Sequence, residues 1–147
     1  MGGFAALLND QLQKHAEAED IFRELVAIEQ QVLGPEHPST LRNVGNLATC
    51  LSCQDKDDEA LPIARGCYAS YVKVCGPEHP EALNAARGVA DSLVALKEYA
   101  EAETILRETL VLHRKVLGAD HDRTVYTART LQGLIDDGNA SIQTMPQ

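Results

Sequence analysis

Aromatic and basic residues are scarce in this sequence. Its 147 residues include no Trp, aromatic side chains make up 4%, and 13 Lys and Arg stand against 22 Asp and Glu, for a formal net charge of −9. Phosphate backbones and anionic membrane surfaces attract clusters of Lys and Arg. The composition therefore argues against a nucleic-acid partner and against a membrane partner, and no apolar run approaches the ~20 residues that span a bilayer.

Cysteines are few, and two of them form a C-x-x-C pair. The four are Cys50, Cys53, Cys67 and Cys75. The spacing of the first two allows a redox or a zinc interpretation. No second pair follows, and the surrounding pattern is helical, which favours thiols packed in or near a core. The chain also starts without the basic segment of a secretion signal. Together these features predict a protein of the reducing cytoplasm.

A 42-residue repeat organises the chain. The loop at residues 33–38 recurs at 75–80 and, in weaker form, at 117–122. Five loop positions and nine positions outside the loop are identical between residues 34–75 and 76–117, so 14 of 42 aligned positions agree. Chance would give about two or three, and a period of this length is typical of solenoids.

Two helices are predicted in each full unit. After Pro38 apolar residues recur at helical spacing as far as Leu51, and a second helical run ends at Gly76-Pro77. Pro cannot continue a helix, and Gly adopts the left-handed conformation that ends one. The same pair is predicted at residues 84–96 and 100–117.

Incomplete units are predicted at both ends. Residues 16–33 match a second helix whose partner survives only as residues 4–12, and residues 123–135 match a first helix without a partner. We therefore predict an all-α, right-handed superhelix of helix-turn-helix repeats with about seven helices. The array covers residues 1–137, with units at about 1–33, 34–75 and 76–117 and a final helix at 118–137, and residues 138–147 are predicted to be a disordered tail.

These residues resemble the tetratricopeptide repeat, in the 42-residue variety found in kinesin light chains. The resemblance rests on Asn46-Leu47-Ala48, on residues 97–103 and on the three loops. It implies a non-enzymatic scaffold that binds a protein or peptide in a groove lined by the first helix of each unit. No nucleophile–base arrangement, phosphate loop or metal motif is visible, so we predict no catalytic residue, no cofactor and no metal.

The resemblance also implies which residues line the groove. The matching positions that we select as partner-binding are Arg42, Thr49, Asn84, Arg87, Asp91, Tyr126 and Arg129. Light-chain repeats usually have Asn where this chain has Gly45, Arg87 and Arg129. Because guanidinium groups capture carboxylates in a bidentate manner, one hypothesis is a partner segment with acidic residues or a free C-terminus. The alternative is that these arginines pair with neighbouring acids.

Three histidines and two acidic runs allow further interpretations. His37, His79 and His121 recur at the repeat step, but equivalent positions in a solenoid lie about 20 Å apart, which favours a role at the helix ends over a metal array. His15 and His113 are expected at the surface. Acids at residues 17–20 and 55–59 are expected on solvated turns and helix starts, and the alternative is a docking surface for a basic partner.

A structural function is the alternative to groove binding. The predicted final helix carries apolar residues but no partner helix, and terminal repeats of a solenoid must be capped or paired. Self-association as a homodimer through terminal helices, or a spacer or regulatory role within a larger protein, would satisfy that need. Concentration-dependent association would support this alternative.

Overall fold

Six helices and no strand make up the described part of the chain. The computed structural model describes the backbone of residues 2–137 and the side chains of residues 11–137. Each helix packs against the next one in the chain, and the second also contacts the fourth. The predicted all-α solenoid is confirmed. The helices are α1 (Gly2–Val32), α2 (Pro38–Cys53), α3 (Asp57–Cys75), α4 (Pro80–Ala95), α5 (Tyr99–Val116) and α6 (Asp122–Asp136).

The first helix differs from the prediction. We expected residues 4–12 and residues 16–33 to form separate helices, but α1 runs without interruption for 31 residues. The expected break falls at Gln13-Lys14-His15, where Gln13 stands in the place of Asp55 and Lys97, which have positive φ of 60° and 64° in the turns of the later units. Gln favours a helix more than Asp does, and Asp tolerates a positive φ better. The described part therefore has six helices and not about seven. The unit boundaries stay a prediction, and the expected tail at residues 138–147 lies outside the described residues.

A histidine caps the start of every helix that follows a repeat loop. His37, His79 and His121 each have extended backbone, and each Nδ1 accepts a hydrogen bond of 3.1 Å from the N–H two residues later. That N–H is one of the donors that a helix start leaves without a backbone partner. In α2 and α4 a proline follows the cap, at a position where the missing N–H costs nothing.

Replacing one capping histidine is expected to weaken the array measurably. His79→Ala removes the acceptor for the Glu81 N–H at the start of α4, and loss of an N-cap side chain costs about 1 kcal/mol. His79→Asn retains a side-chain acceptor and is expected to cost less. Urea unfolding of both variants, followed by circular dichroism, measures the difference. Equal free energies of unfolding for the two variants would contradict the capping role.

Glycine ends the helices that precede the loops. Gly76 has φ of 88° and ψ of 160°, a conformation that is essentially restricted to glycine. The sequence predicted a left-handed terminator here, and the positive φ agrees, although the ψ belongs to an extended conformation. Gly34 and Gly118 occupy the same place in the other loops, with φ of 97° and 90°.

The core lies where adjacent hairpins meet. Leu51, Leu93 and Leu106 are fully buried. Ala60 and Ala90 are also fully buried, and their small side chains allow the helices to approach closely. The stacked arrangement gives each hairpin an apolar face that only its neighbour covers.

His113 is not at the surface, contrary to the prediction. Its side chain is 1% exposed, and Nδ1 lies 3.1 Å from the Thr127 hydroxyl. It stands one repeat after Tyr71, which is also buried. The position belongs to the face of a second helix that packs against the first helix of the next unit. Sequence polarity suggested exposure, whereas the repeat register requires burial.

Candidate functional site

A groove crosses the face of the array that α2 and α4 form. It encloses about 540 Å³ and is bordered by α2, α3 and α4, with one residue from α6. This volume is in the range of pockets that hold ligands or short peptide side-chain clusters. Its apolar lining includes Leu41, Ala48, Ala64, Cys67 and Ala85. We refer to the cavity bordered by these residues and by the polar residues described below as the groove.

Five of the seven selected residues line the groove. Those five are Arg42, Thr49, Asn84, Arg87 and Asp91. The other two lie on α6: Tyr126 reaches the groove through a contact with Arg87, and Arg129 is exposed and does not line it. The structure therefore brings together the selected residues of α2 and α4 and leaves Arg129 outside.

Arg87 is held at the edge of the groove by its neighbours on α4 and α6. The Cζ atom of its guanidinium lies 4.5 Å from the centre of the Tyr126 ring, a cation–π distance. Its Nε atom is buried and has no hydrogen-bond acceptor within the described residues. Asp91 follows one helical turn later. The surrounding protein raises the pKa of that carboxyl group, and the positive charge of Arg87 opposes the shift.

The arginines near the groove form no ion pair within the described residues, a property they share with Lys97 and Arg114 but not with most of the other basic residues. Arg42, Arg87 and Arg123 border the groove, and within residues 11–137 none of the three has a carboxylate within 4 Å, nor does Arg129. Six basic residues elsewhere do form ion pairs with glutamates. These are Arg23, Lys56, Arg65, Lys73, Arg107 and Lys115.

The acids at residues 17–20 and 55–59 were expected to be solvated, and one of them is not. Glu19 is buried and pairs with Arg23 and Lys56. The hydrogen bond from Arg23, followed by one from Gln54, lowers the pKa of the Glu19 carboxyl group. This acid holds α1 against the turn between α2 and α3. The acids at the start of α3, Asp57 to Glu59, do complement the positive end of the helix dipole.

Sequence reasoning missed two charged residues of the groove. Glu81 and Arg123 both border it, and they occupy the same place in successive units, in the first turns of α4 and α6. Once Glu81 is known to border the groove, the 42-residue spacing identifies Arg123 as its equivalent. The family pattern concentrates on the middle of the first helices and so gave no reason to select either residue.

The thiols show no arrangement suited to redox or metal chemistry. All four cysteines are free, with Cys50 and Cys67 buried and Cys53 and Cys75 exposed. Burial raises the pKa of the Cys67 thiol to about 11, which makes it a poor nucleophile. Within the residues that the structure describes, no group of three or more His, Cys, Asp or Glu side chains is placed to hold a metal ion. A search of the described helices finds none with the length and apolarity to cross a membrane.

Stacked helical hairpins with a lined groove define an α-solenoid. The profile of the tetratricopeptide repeat matches residues 2–71 and residues 46–110. The chain belongs to the tetratricopeptide repeat family, whose members mediate protein–protein interactions. The resemblance that the sequence suggested is thereby confirmed. No curated protein matches the sequence significantly.

Solved structures show the same fold. A putative kinesin light chain from Podosopora anserina, described as having nearly identical TPR-like repeats, is 24% identical with a TM-score of 0.79. A single-residue variant of that protein gives a TM-score of 0.80 at 24% identity. In both cases the match covers 91% of this chain and 65% of the solved chain, so the chain spans about two thirds of its structural neighbours.

Proposed function

We propose that the groove binds an extended segment of a partner protein that presents acidic side chains or a free C-terminal carboxylate. The observation that carries this proposal is the difference in pairing between basic residues. Of the basic residues away from the groove, six pair with glutamates of the chain, and Lys97, Arg114 and Arg129 have no carboxylate within 4 Å in the described part. At the groove none of the three arginines, Arg42, Arg87 and Arg123, has one in that part, so three unpaired cations meet at a single cavity. An arginine without an internal partner is available to a carboxylate of another molecule.

The arrangement of Arg87 favours a carboxylate ligand. Stacking on Tyr126 fixes the guanidinium plane and removes part of its water. A fixed fork of N–H donors loses less conformational freedom when it binds both oxygens of a carboxylate. The amides of Asn46 and Asn84 also border the groove, and they offer donors and acceptors for the backbone of an extended segment.

The charge of the groove opposes the charge of the whole chain. Three arginines and two acids, Glu81 and Asp91, border it, whereas the formal net charge of the chain is −9. The two acids would repel a uniformly acidic peptide, so we expect acidic residues at particular positions of the bound segment. We also propose that binding takes place in the cytoplasm, where the free thiols of Cys53 and Cys75 stay reduced.

Selection from a library of random ten-residue peptides with free C-termini tests the proposal. The selected peptides should be enriched in Asp, Glu or a required C-terminal carboxylate. For the best binder, Arg87→Ala is expected to weaken affinity about tenfold or more, because hydrogen bonds between charged groups contribute about 1.5–3 kcal/mol. The double variant Arg87→Ala, Arg129→Ala should bind the peptide no more tightly than Arg87→Ala does. Arg129→Ala alone should weaken binding less than Arg87→Ala, because Arg129 does not line the groove. Isothermal titration calorimetry provides the affinities.

Arg65→Ala is the matched control for these variants. Arg65 lies on α3 and pairs with Glu101 at 2.7 Å, so its loss should leave peptide affinity unchanged. Enrichment of basic or purely apolar peptides would contradict the proposal. So would equal affinities for the wild-type protein and Arg87→Ala. A pull-down from native lysate analysed by mass spectrometry, with the double variant as the control, would then identify the natural partner.

A further inference from the structure

The helix α1 exposes a stripe of apolar side chains. Ile21, Leu25, Ile28 and Val32 follow one another at helical spacing, and Ile28 and Val32 are 58% and 74% exposed. Isolated exposed apolar residues are ordinary, but a continuous row on one helix face marks a surface that another element covers. In the described part of the chain, no helix covers this row.

Equivalent positions in the next unit show what kind of element covers such a row. One repeat later stand Ile63, Cys67, Ser70 and Val74. Cys67 is buried and Ile63 and Ser70 are half-buried, whereas Val74 stays 46% exposed, so the first three positions of the row are the ones that become covered. Ile63 packs in a cluster with Leu47 and Leu51, and Cys67 packs with Leu41 and donates to its carbonyl oxygen at 3.4 Å. The covering element in that unit is α2, the first helix of the unit. The row on α1 is therefore shaped for a helix of the same type.

The helix α6 is of that type. Like α2 and α4 it starts after a repeat loop with a capping histidine. Two repeats before Val125, Ala128 and Ile135 stand Leu41, Val44 and Leu51, the α2 residues that pack near or against α3. In α6 these three positions are only half-buried. The two ends of the described array thus carry complementary halves of one hairpin.

A row of ion pairs runs along the second helices. At one end of the array an arginine continues the row, and at the other end a glutamate does. Arg23 pairs with Glu59 at 3.9 Å, and one repeat later Arg65 pairs with Glu101 at 2.7 Å. Arg107 is the third arginine of the row. Its Nε contacts Glu103 at 2.8 Å, as the Nε of Arg23 contacts Glu19 at 2.8 Å, and no second carboxylate lies within 4 Å of it in residues 11–137.

The missing acid of this row stands at the other end of the array. Glu17 lies two repeats before Glu101 and one before Glu59. It is exposed, and no arginine or lysine is within 4 Å of it in the described part. Suppose that the α6 end of a second copy packs against α1 as if it were the preceding unit of the same array. The helix α6 of that copy would then cover the apolar row. Arg107 of that copy would then meet Glu17.

We propose that the chain associates head to tail, with α6 of one copy completing the hairpin of α1 in the next and Arg107 of the first copy pairing with Glu17 of the second. The contact joins two different surfaces, so it produces open chains of copies and not closed dimers unless the rotation closes a ring. The proposal does not depend on peptide binding. The groove is formed mainly by α2 to α4, and α6 contributes Arg123 and the contact of Tyr126 with Arg87, whereas the junction uses Val125, Ala128 and Ile135 of α6.

Sedimentation velocity of the full chain over a concentration series tests the junction. The weight-average mass of the wild-type protein should rise with concentration, and Ile28→Asp should remain monomeric over the same range. Val111→Asp is the matched control. Val111 is 64% exposed on α5, and its equivalents Ala27 and Ala69 stay exposed with the next unit in place. This control should associate as the wild-type protein does.

Exchanging the charges of the proposed pair gives a second test. Glu17→Arg and Arg107→Glu should each associate about twofold to fivefold more weakly than the wild-type protein, since exposed ion pairs contribute about 0.2–1 kcal/mol. An equimolar mixture should regain association, because each junction between the two variants joins opposite charges. Circular dichroism checks that each variant is folded. If Arg107→Glu does not fold because Glu103 loses its partner, Glu17→Arg alone must still weaken association.

Three outcomes would overturn the proposal. They are a wild-type protein that stays monomeric at millimolar concentration, association that Ile28→Asp does not change, and a mixture of charge variants that does not recover. Peptide affinity of Ile28→Asp, measured by calorimetry, separates this proposal from the groove function. That affinity should equal the wild-type value whether or not the junction forms.

Discussion

Leu93→Ala is expected to lower the free energy of unfolding by about 3 kcal/mol, the largest change that we predict for a single substitution. Leu93 is fully buried in the last turn of α4. It lies in the main apolar cluster, which also contains Ala90, Leu106 and Leu131 from three helices. Removing three carbon atoms there loses their transfer free energy and leaves a cavity that stacked helices cannot fill without moving.

Leu96→Ala is the matched control for this substitution. Leu96 follows three residues later and is 36% exposed, so the same chemical change should cost well under 1 kcal/mol. Urea unfolding at one pH gives both values. For a chain of this length, 3 kcal/mol corresponds to a fall in Tm of about 6–12 °C. Similar costs for the two variants would mean that α4 is not packed between its neighbours as described.

The helix that Leu93 anchors also carries much of the groove. Asn84, Arg87 and Asp91 project from α4, and their positions depend on how firmly α4 packs on α3 and α5. Because a solenoid has only contacts between neighbours, a loss of packing in its middle separates the two ends. Leu93→Ala should therefore weaken peptide binding even under conditions where most of the protein is folded.

The 42-residue register explains how much of the molecule the sequence could predict. It aligns the equivalent positions of the first helices, and the resemblance to the family then implies that Arg42, Asn84 and Arg87 face one groove. It also predicts loop histidines at helix starts. These features repeat, and each one is determined by local spacing and by contact with a neighbouring unit of the same architecture.

Features that do not repeat could not be predicted in this way. The continuity of α1 could not be read from a breaker, because the later units turn through Asp55 and Lys97 without Gly or Pro at the same place. The ion pair of Arg65, and the absence of a carboxylate within 4 Å of Arg87 in the described residues, depend on which acids face each side chain across the stack. The burial of His113 could have been found, because Tyr71 marks the same position as part of the core.

His113 is expected to make the stability of the protein depend on pH near neutrality. Burial, followed by the positive charges of Arg87 and Arg123 and by His121, lowers the pKa of this imidazole below its ordinary value of 6.5. Its Nε2 atom has no acceptor within the described residues, so protonation of this atom forms no new hydrogen bond there. The folded protein therefore holds the neutral form, whereas the unfolded chain takes up a proton at the ordinary pKa.

The sign of the effect follows from this difference. Below about pH 6.5 the unfolded state binds more protons at His113 than the folded state, so the free energy of unfolding falls as the pH falls. Each unit by which the two pKa values differ is worth about 1.4 kcal/mol once the pH lies below both. Above pH 6.5 the contribution is constant. Carboxylates such as Glu19 and Glu29, whose pKa values are lowered, affect stability only at more acidic pH.

The preceding unit supplies the variant that isolates His113. There Tyr71 packs against Ala85, where the next unit has His113 against Thr127. Burial raises the pKa of Tyr71 to about 12, so a tyrosine at this place stays neutral throughout the relevant range. The double variant His113→Tyr, Thr127→Ala copies that pair and leaves the other four histidines in place. Its free energy of unfolding should change less than that of the wild-type protein between pH 7.5 and 5.5. Parallel pH profiles for the two proteins would show that the buried imidazole does not carry the effect.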